Sequence, residues 1–434
     1  MTKKFFRQPE TMILHNIYNF LWKIAPPALR YYLRKRAKKN ADYSLHWNER
    51  FGVPYDNPVK NAVWIHAVSV GETRAALPLI NALQKRLPET ALLITQTTPT
   101  GRKTAQELFP NAQCRYLPYD NPKYIKQFLD EHTPKIAIFM ETEIWVNLLN
   151  ECEKRHIPTV LANARLSEKS LAGYIQFASL FKPAFSSFSA VFAQSEPDAQ
   201  RLQQAGAGRV RVMGNTKYDM PIAITQQQLA AEFRQKIGQR PVILCASTRE
   251  KNGVDEAKML LNAWKKQENA VKNTLLIIVP RHPERFEETA QYAQELGFIV
   301  QKRTDNKAVN PQTQVLIGDS MGEMSAYCLC ADLVFVGGSL IDTGCQNVIE
   351  PILCGKPVLF GFSTYNFAQA TQDALTAGVA KQVQMADEWA ETVLQLIDNE
   401  EEINEMQQKT AAFIQQHTGA AEKMADEIVR IMGC

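Results

Sequence analysis

Glu72 stands three residues after Ser69 in the run HAVSVGETRAALPLI (66–80), where the apolar stretch Ala62–Val70 gives way to a helical pattern. A carboxylate there lies outside the carboxyl end of a strand, where open α/β sheets hold their ligands, and can serve as a base. Gly71 shares the turn and is expected to permit a tight passage from strand to helix. Many acidic residues in a first helical turn only complement the helix dipole, so the catalytic reading of Glu72 draws on the rest of the chain. A second acidic group, Glu141-Thr142-Glu143, follows the apolar run Lys135–Met140. Two carboxylates that close repel each other unless donors or cations intervene. Arg165, after the run Thr159–Ala162, brings a cation to the same edge. The other reading of this group is a helix start, with Thr142 as cap and Glu143 in the first turn.

The second half carries groups suited to phosphate. Ser247-Thr248-Arg249 follows the apolar run Val242–Ala246, and Pro280-Arg281-His282 follows Thr274–Val279. Arginine suits bidentate contact with phosphate or carboxylate. Met321-Gly322-Glu323 is expected to open a helix whose free amides attract an anion, and Gly337-Gly338-Ser339 ends the run Leu333–Val336, where glycine allows close backbone approach. Glu350, just before Pro351, could accept hydrogen bonds from both hydroxyls of a ribose. There is no Walker lysine and no GxGxxG pattern, which argues against a nucleoside triphosphatase and a dinucleotide enzyme. No GxSxG or histidine-rich motif points to hydrolase or metal chemistry, and no cofactor is indicated.

These groups must be positioned by two α/β halves. Apolar runs at 63–70, 91–97, 135–140, 159–162, 190–193 and 210–213 alternate with helical patterns such as Arg74–Leu87 and Tyr124–His132, and a second series runs through 242–246, 274–279, 315–317, 333–336 and 357–360. Such repetition predicts two parallel sheets. Residues 41–220 form the first domain and 241–400 the second; Pro221 and the Gln226–Gln228 run mark 221–240 as a linker, and helices in 401–434 are expected to pack back across both halves. A cleft between the halves is expected to hold ligands.

Composition adds limits. A chain of 434 residues with 45% apolar and 22% charged residues has ample core for two domains. Its cysteines (114, 152, 245, 328, 330, 345, 354 and 434) lie mostly in apolar runs without CxxC spacing, which predicts reduced, buried thiols and no zinc. The net charge of +4 is uneven: residues 1–50 hold 11 Lys or Arg against 3 Asp or Glu, while the other 384 residues hold 38 against 42. The basic cluster at 30–39 follows the mostly apolar Met12–Trp22, which is too short to cross a bilayer, a task of about 20 residues. Residues 1–40 are read as an interfacial anchor on an anionic membrane surface, the other reading being a core helix with a solvated basic end. Nucleic acid is not expected as a partner, because the charge does not continue into the domains.

Taken together, HAVSVGE (66–72), METEIWVN (140–147), NARLS (163–167), GNTKYD (214–219), PRHPERF (280–286), GDSMGEM (318–324) and FVGGSL with NVIEP (335–351) resemble the 3-deoxy-D-manno-octulosonic acid (Kdo) transferases of Gram-negative bacteria along essentially the whole chain. The resemblance implies a glycosyltransferase B fold of two Rossmann-like domains. It further implies metal-independent, inverting transfer of Kdo from CMP-Kdo to a lipid A precursor, lipid IVA, in lipopolysaccharide core biosynthesis at the cytoplasmic side of the inner membrane. Glu72 would be the general base, with Glu141 and Lys217 stabilising the transition state. Ser69, Gly71, Thr142, Glu143 and Arg165 would face the acceptor. Donor contacts would come from Ser247, Thr248, Arg249, Pro280, Arg281, Met321, Gly322, Glu323, Gly338, Ser339, Asn347, Val348, Ile349 and Glu350. Two departures stand out: Val146 replaces the usual Pro after Trp145, and Gln346 stands where the family usually has His. The rival readings are another enzyme of this fold, such as a nucleotide-sugar epimerase, and a non-catalytic membrane-surface scaffold.

Overall fold

The computed structural model describes residues 9–271 and 273–433, with side chains from Met12 onward; Cys434 and the first eight residues of the basic segment lie outside the described residues. The chain divides into two compact units, one up to Met220 together with the residues from Thr418, the other Pro221–His417.

In the first unit seven parallel strands form one sheet: β1 (Val63–His66), β2 (Leu92–Gln96), β3 (Gln113–Tyr116), β4 (Ile136–Met140), β5 (Thr159–Ala164), β6 (Ala190–Ala193) and β7 (Val210–Val212). Their order is β3-β2-β1-β4-β5-β6-β7, with Ile65 in register with both Ile94 and Ile138. The order reverses between β1 and β4, which opens a crevice at their carboxyl ends. Alternation along β1 sends Trp64 to one face, against Phe128 and Phe139, and Val63 and Ile65 to the other. That second face is covered by the helix Ala420–Met432 through Met424 and Ile428.

The second unit repeats the plan with β8 (Val242–Thr248), a short hairpin of β9 (Glu250–Lys251) and β10 (Val254–Asp255), then β11 (Leu275–Pro280), β12 (Val300–Lys302), β13 (Val315–Ile317), β14 (Leu333–Val336), β15 (Val358–Phe360) and β16 (Ala380–Gln382). The sheet order β12-β13-β11-β8-β14-β15-β16 places its reversal between β8 and β14. The segment read as a linker holds the helix Ile224–Ile237, which buries Ala230, Phe233 and Ile237 in this unit. Its glutamines are not loop residues: the Gln226 side chain accepts from the Ala326 amide. The helix Glu400–His417 belongs to this unit, and only the residues after it join the first.

Two helices, Pro9–Ile24 and Pro26–Ala37, precede the first sheet. Tyr18 donates to the buried Asp120 (2.8 Å), and Asn121 donates to the Trp22 carbonyl (2.9 Å). The opposite side of the first helix leaves Met12, Ile13, Ile17, Phe20, Leu21 and Ile24 exposed. Among the described residues no helix is long and apolar enough to cross a membrane.

Candidate active site

The reversal point of the first sheet gathers the residues expected there. Ser69 caps the helix Val70–Arg86, and Glu72 closes a reciprocal arrangement: its Oε2 accepts from the Val68 amide (2.7 Å) and its Oε1 from the Ser69 hydroxyl (3.0 Å). Capping is thus real, and it fixes the carboxylate at the end of β1. Burial, then the charge of Glu141, pushes the Glu72 carboxyl up to about 7, a value suited to a base near neutral pH. Gly71 does not make the turn by a left-handed backbone, since its φ is negative; a Cβ there would meet only the Ser69 hydroxyl, at 3.9 Å.

After β4 the chain bends sharply. Glu141 has φ +59, a conformation that non-glycine residues adopt at a cost and that gathers at functional sites. This bend delays the next helix to Val146, so Thr142 does not cap it and Glu143 is not in its first turn. Thr142 instead donates to the Arg165 carbonyl, and Glu143 accepts from the Trp145 indole (2.8 Å). Val146 is the first helical residue, the one position where proline is welcome, so this departure from the family pattern leaves the local fold intact.

Glu141 sits between two cations, Lys217 Nζ and Arg165 Nε, each 3.0 Å from one carboxylate oxygen. Burial alone would raise its pKa; Lys217 and Arg165 outweigh that and hold it below the usual carboxylate range. Glu143 lacks such partners, and burial followed by the Glu72 charge lifts it to about 7. Beneath it lies His66, fully buried and kept neutral by burial, with Nε2 3.9 Å from Glu143. Asn163 (φ +53), also buried, accepts from the Thr216 amide (3.0 Å) and so places the turn that carries Lys217. The cluster therefore holds one carboxylate fixed as an anion beside two others poised to exchange protons near neutrality.

The second unit is more selective about its expected residues. Ser247 takes φ +58 near the end of β8, and the Arg281 amide donates to the Thr248 carbonyl (2.9 Å), joining two strand ends and leaving the Arg281 side chain exposed. Glu350 accepts from Ser325 (2.6 Å), while Asn347 caps the Ile349 amide. Val348 and Ile349 are buried in the core, so any ligand contact from them is through backbone. Met321 and Gly322 are exposed, but the helix begins only at Met324, with Glu323 bound to Ser320 and Arg303. Gln346 donates its backbone N–H to the Gly337 carbonyl, and its side chain lies beside Gly338.

Gly338 and Ser339 depart from expectation. Their amides, with those of Leu340 and Arg249, all donate to the fully buried carboxylate of Glu256, at 2.6 to 3.2 Å. The Ser339 hydroxyl donates to Val336 and accepts from Gly361. Neither residue has an amide left for a ligand; they shape the site from below. Glu256 itself escaped the sequence reading. Its signal was there: it falls in the apolar phase of the helix Glu256–Lys266, in step with Leu260 and Trp264. Close packing also demands Gly337, because a Cβ there would lie 2.7 Å from Thr248 Cα and 2.8 Å from Glu256.

Among the described residues no group of three His, Cys, Asp or Glu is arranged to hold a metal, and the seven described cysteines are free and buried.

Two Rossmann-like units, each with a seven-stranded parallel sheet whose strand order reverses once, define a protein of the glycosyltransferase B fold. The UDP-GlcNAc 2-epimerase of Neisseria meningitidis, solved with UDP-GlcNAc, shares that fold, with a TM-score of 0.58 at 16% identity over 86% of this chain and 99% of that one. Sequence goes further. Residues 45–220 match the family described as 3-Deoxy-D-manno-octulosonic-acid transferase (kdotransferase). The 3-deoxy-D-manno-octulosonic acid transferase of Bordetella pertussis is 35% identical over 96% of this chain and 99% of its own length, and that of Haemophilus influenzae is 33% identical over 94% and 96%. The chain belongs to the Kdo transferase family.

Proposed function

We propose that this chain is an inverting, metal-independent glycosyltransferase that moves Kdo from CMP-Kdo to a lipid A precursor, lipid IVA, in lipopolysaccharide core biosynthesis, with Glu72 as the general base. The observation that carries this reading is the Glu72 carboxylate, held at the reversal point of the first sheet by the Val68 amide and the Ser69 hydroxyl beside the Glu141, Lys217 and Arg165 network. Glu72 takes the proton from the acceptor hydroxyl as that oxygen attacks the anomeric carbon, and the CMP phosphate leaves from the opposite face. Lys217, oriented by Glu141, supplies positive charge beside the developing transition state. On the donor side, Arg281 meets the leaving phosphate, Met321–Glu323 flank the base, and Glu350 with Asn347 meets the ribose. Arg281→Ala is expected to weaken CMP-Kdo binding about tenfold or more, the worth of a charge-assisted hydrogen bond. Donor titration by calorimetry measures it, and unchanged affinity would remove Arg281 from the site.

We propose also that the chain attaches peripherally to the cytoplasmic face of the inner membrane. The exposed stripe Ile13, Ile17, Phe20, Leu21 and Ile24 lies on one helix, and Arg34, Lys35, Arg36, Lys38 and Lys39 are exposed just after it. Such a pairing of apolar face and basic cluster suits an anionic lipid surface. Replacing Ile17 and Phe20 together by Asn leaves the Tyr18 contact with Asp120 in place. It should cut binding to phosphatidylglycerol-containing vesicles by roughly 30-fold, since about 2 kcal/mol of apolar transfer is lost. Co-sedimentation equal to the parent protein would defeat the anchor.

A further inference from the structure

A pocket of about 300 Å³ opens at the carboxyl ends of β8 and β11. Glu250 and Asp255 of the β9–β10 hairpin wall one side, and Glu284, Arg285 and Thr289 the other. Its floor contains an unmet need: Thr248 is 3% exposed, yet its hydroxyl has no hydrogen-bond partner, and the buried Arg249 Nε has none either. Buried polar groups normally find partners, which are ordered waters or ligand atoms where no protein group serves. Pro280, also in the lining, brings no amide hydrogen to satisfy them.

The lining is chemically specific. Two guanidinium groups, an imidazole, three carboxylates and two threonine hydroxyls surround the space, and no Phe, Tyr or Trp does. A nucleobase would want an aromatic or apolar face, and an acyl chain an apolar tube. A polyhydroxylated sugar acid wants this mixture: acceptors for its hydroxyls and guanidinium for its carboxylate. Arg285 is pre-oriented for that task by Asp255 and by Glu288 (3.3 Å). The volume accommodates one monosaccharide.

We infer that the pocket floored by Thr248 and Arg249 and walled by Arg285 holds the acidic sugar of the donor, so that it, and not the CMP contacts, selects the sugar. This rests on the proposed use of CMP-Kdo and assigns its sugar part a place. The test compares two constants in the full-length protein: KM for CMP-Kdo, and the inhibition constant of CMP alone. Thr248→Val should raise the first about 3- to 10-fold and Arg285→Gln about tenfold or more, while CMP inhibition stays within about twofold of the parent. Thr248→Ser, which restores the hydroxyl, should bring KM back, which separates a lost contact from a damaged fold. Equal shifts in both constants would mean that the pocket reads the nucleotide, and no shift in either that it holds no part of the donor; each overturns the inference while leaving the transferase reading intact. Failure of the parent protein to consume CMP-Kdo at all would overturn both.

Discussion

Glu72→Gln is expected to lower kcat for Kdo transfer about a hundred- to ten-thousandfold, the usual worth of a positioned general base. Glutamine retains an oxygen for the Val68 amide or the Ser69 hydroxyl, so thermal stability should fall by less than about 1 kcal/mol, and CMP affinity should not change. The parent enzyme has a second signature. With the Glu72 carboxyl near 7 rather than its ordinary 4.5, the base is protonated in mild acid, and the rate should climb with pH through a midpoint near 7 before levelling off. Because Glu143 titrates near the same value beside it, that limb reports the cluster as a unit. A rate already flat from pH 5 to 8 would place the proton acceptor elsewhere.

The largest effect on stability is expected from a residue that touches no substrate. Glu256→Ala removes the acceptor of four backbone amides in the floor of the second site and leaves them buried without partners. Each orphaned donor costs about 1–3 kcal/mol, and although the costs do not add fully, a loss of about 3 kcal/mol or more follows. Denaturant unfolding would show it as a lower midpoint for the second unit, accompanied by weaker CMP binding as the loop at Gly338–Leu340 loosens. An unfolding free energy within about 0.5 kcal/mol of the parent would mean that these amides find other partners. Burial keeps the Glu256 pKa raised despite the four donors, so Glu256→Gln should be milder than Glu256→Ala: it keeps one acceptor oxygen and avoids the cost of burying charge.

Why some of this was legible in the sequence and some was not has physical reasons. Central strands buried on both faces must be continuous apolar runs, so β1, β4, β8, β11 and β14 stand out. The strands β3, β12 and β16 lie at or near sheet edges and read Gln-Cys-Arg-Tyr, Val-Gln-Lys and Ala-Lys-Gln, patterns that no apolar count detects. The helix Ile224–Ile237 hid behind its glutamines because only Ala230, Phe233 and Ile237 are fully buried. At the first site, the grouping of Glu72, Glu141, Glu143 and Arg165 followed from strand-end positions alone. The left-handed turn at Glu141 did not, since backbone strain has no signature in residue type, and that turn moves Thr142 and Glu143 out of the helix they were read into. At the second site, Gly338 and Ser339 are where glycine-rich turns are expected, but their amides were already committed to Glu256, a tertiary contact 82 residues distant along the chain for Gly338.

The most direct measurement mixes the purified protein with CMP-Kdo and lipid IVA and weighs the lipid product. The parent chain should yield lipid heavier by one or more Kdo residues, and Glu72→Gln, with CMP affinity intact, should yield essentially none. A lipid that gains no mass with the parent protein, or gains it equally with the variant, would contradict the account.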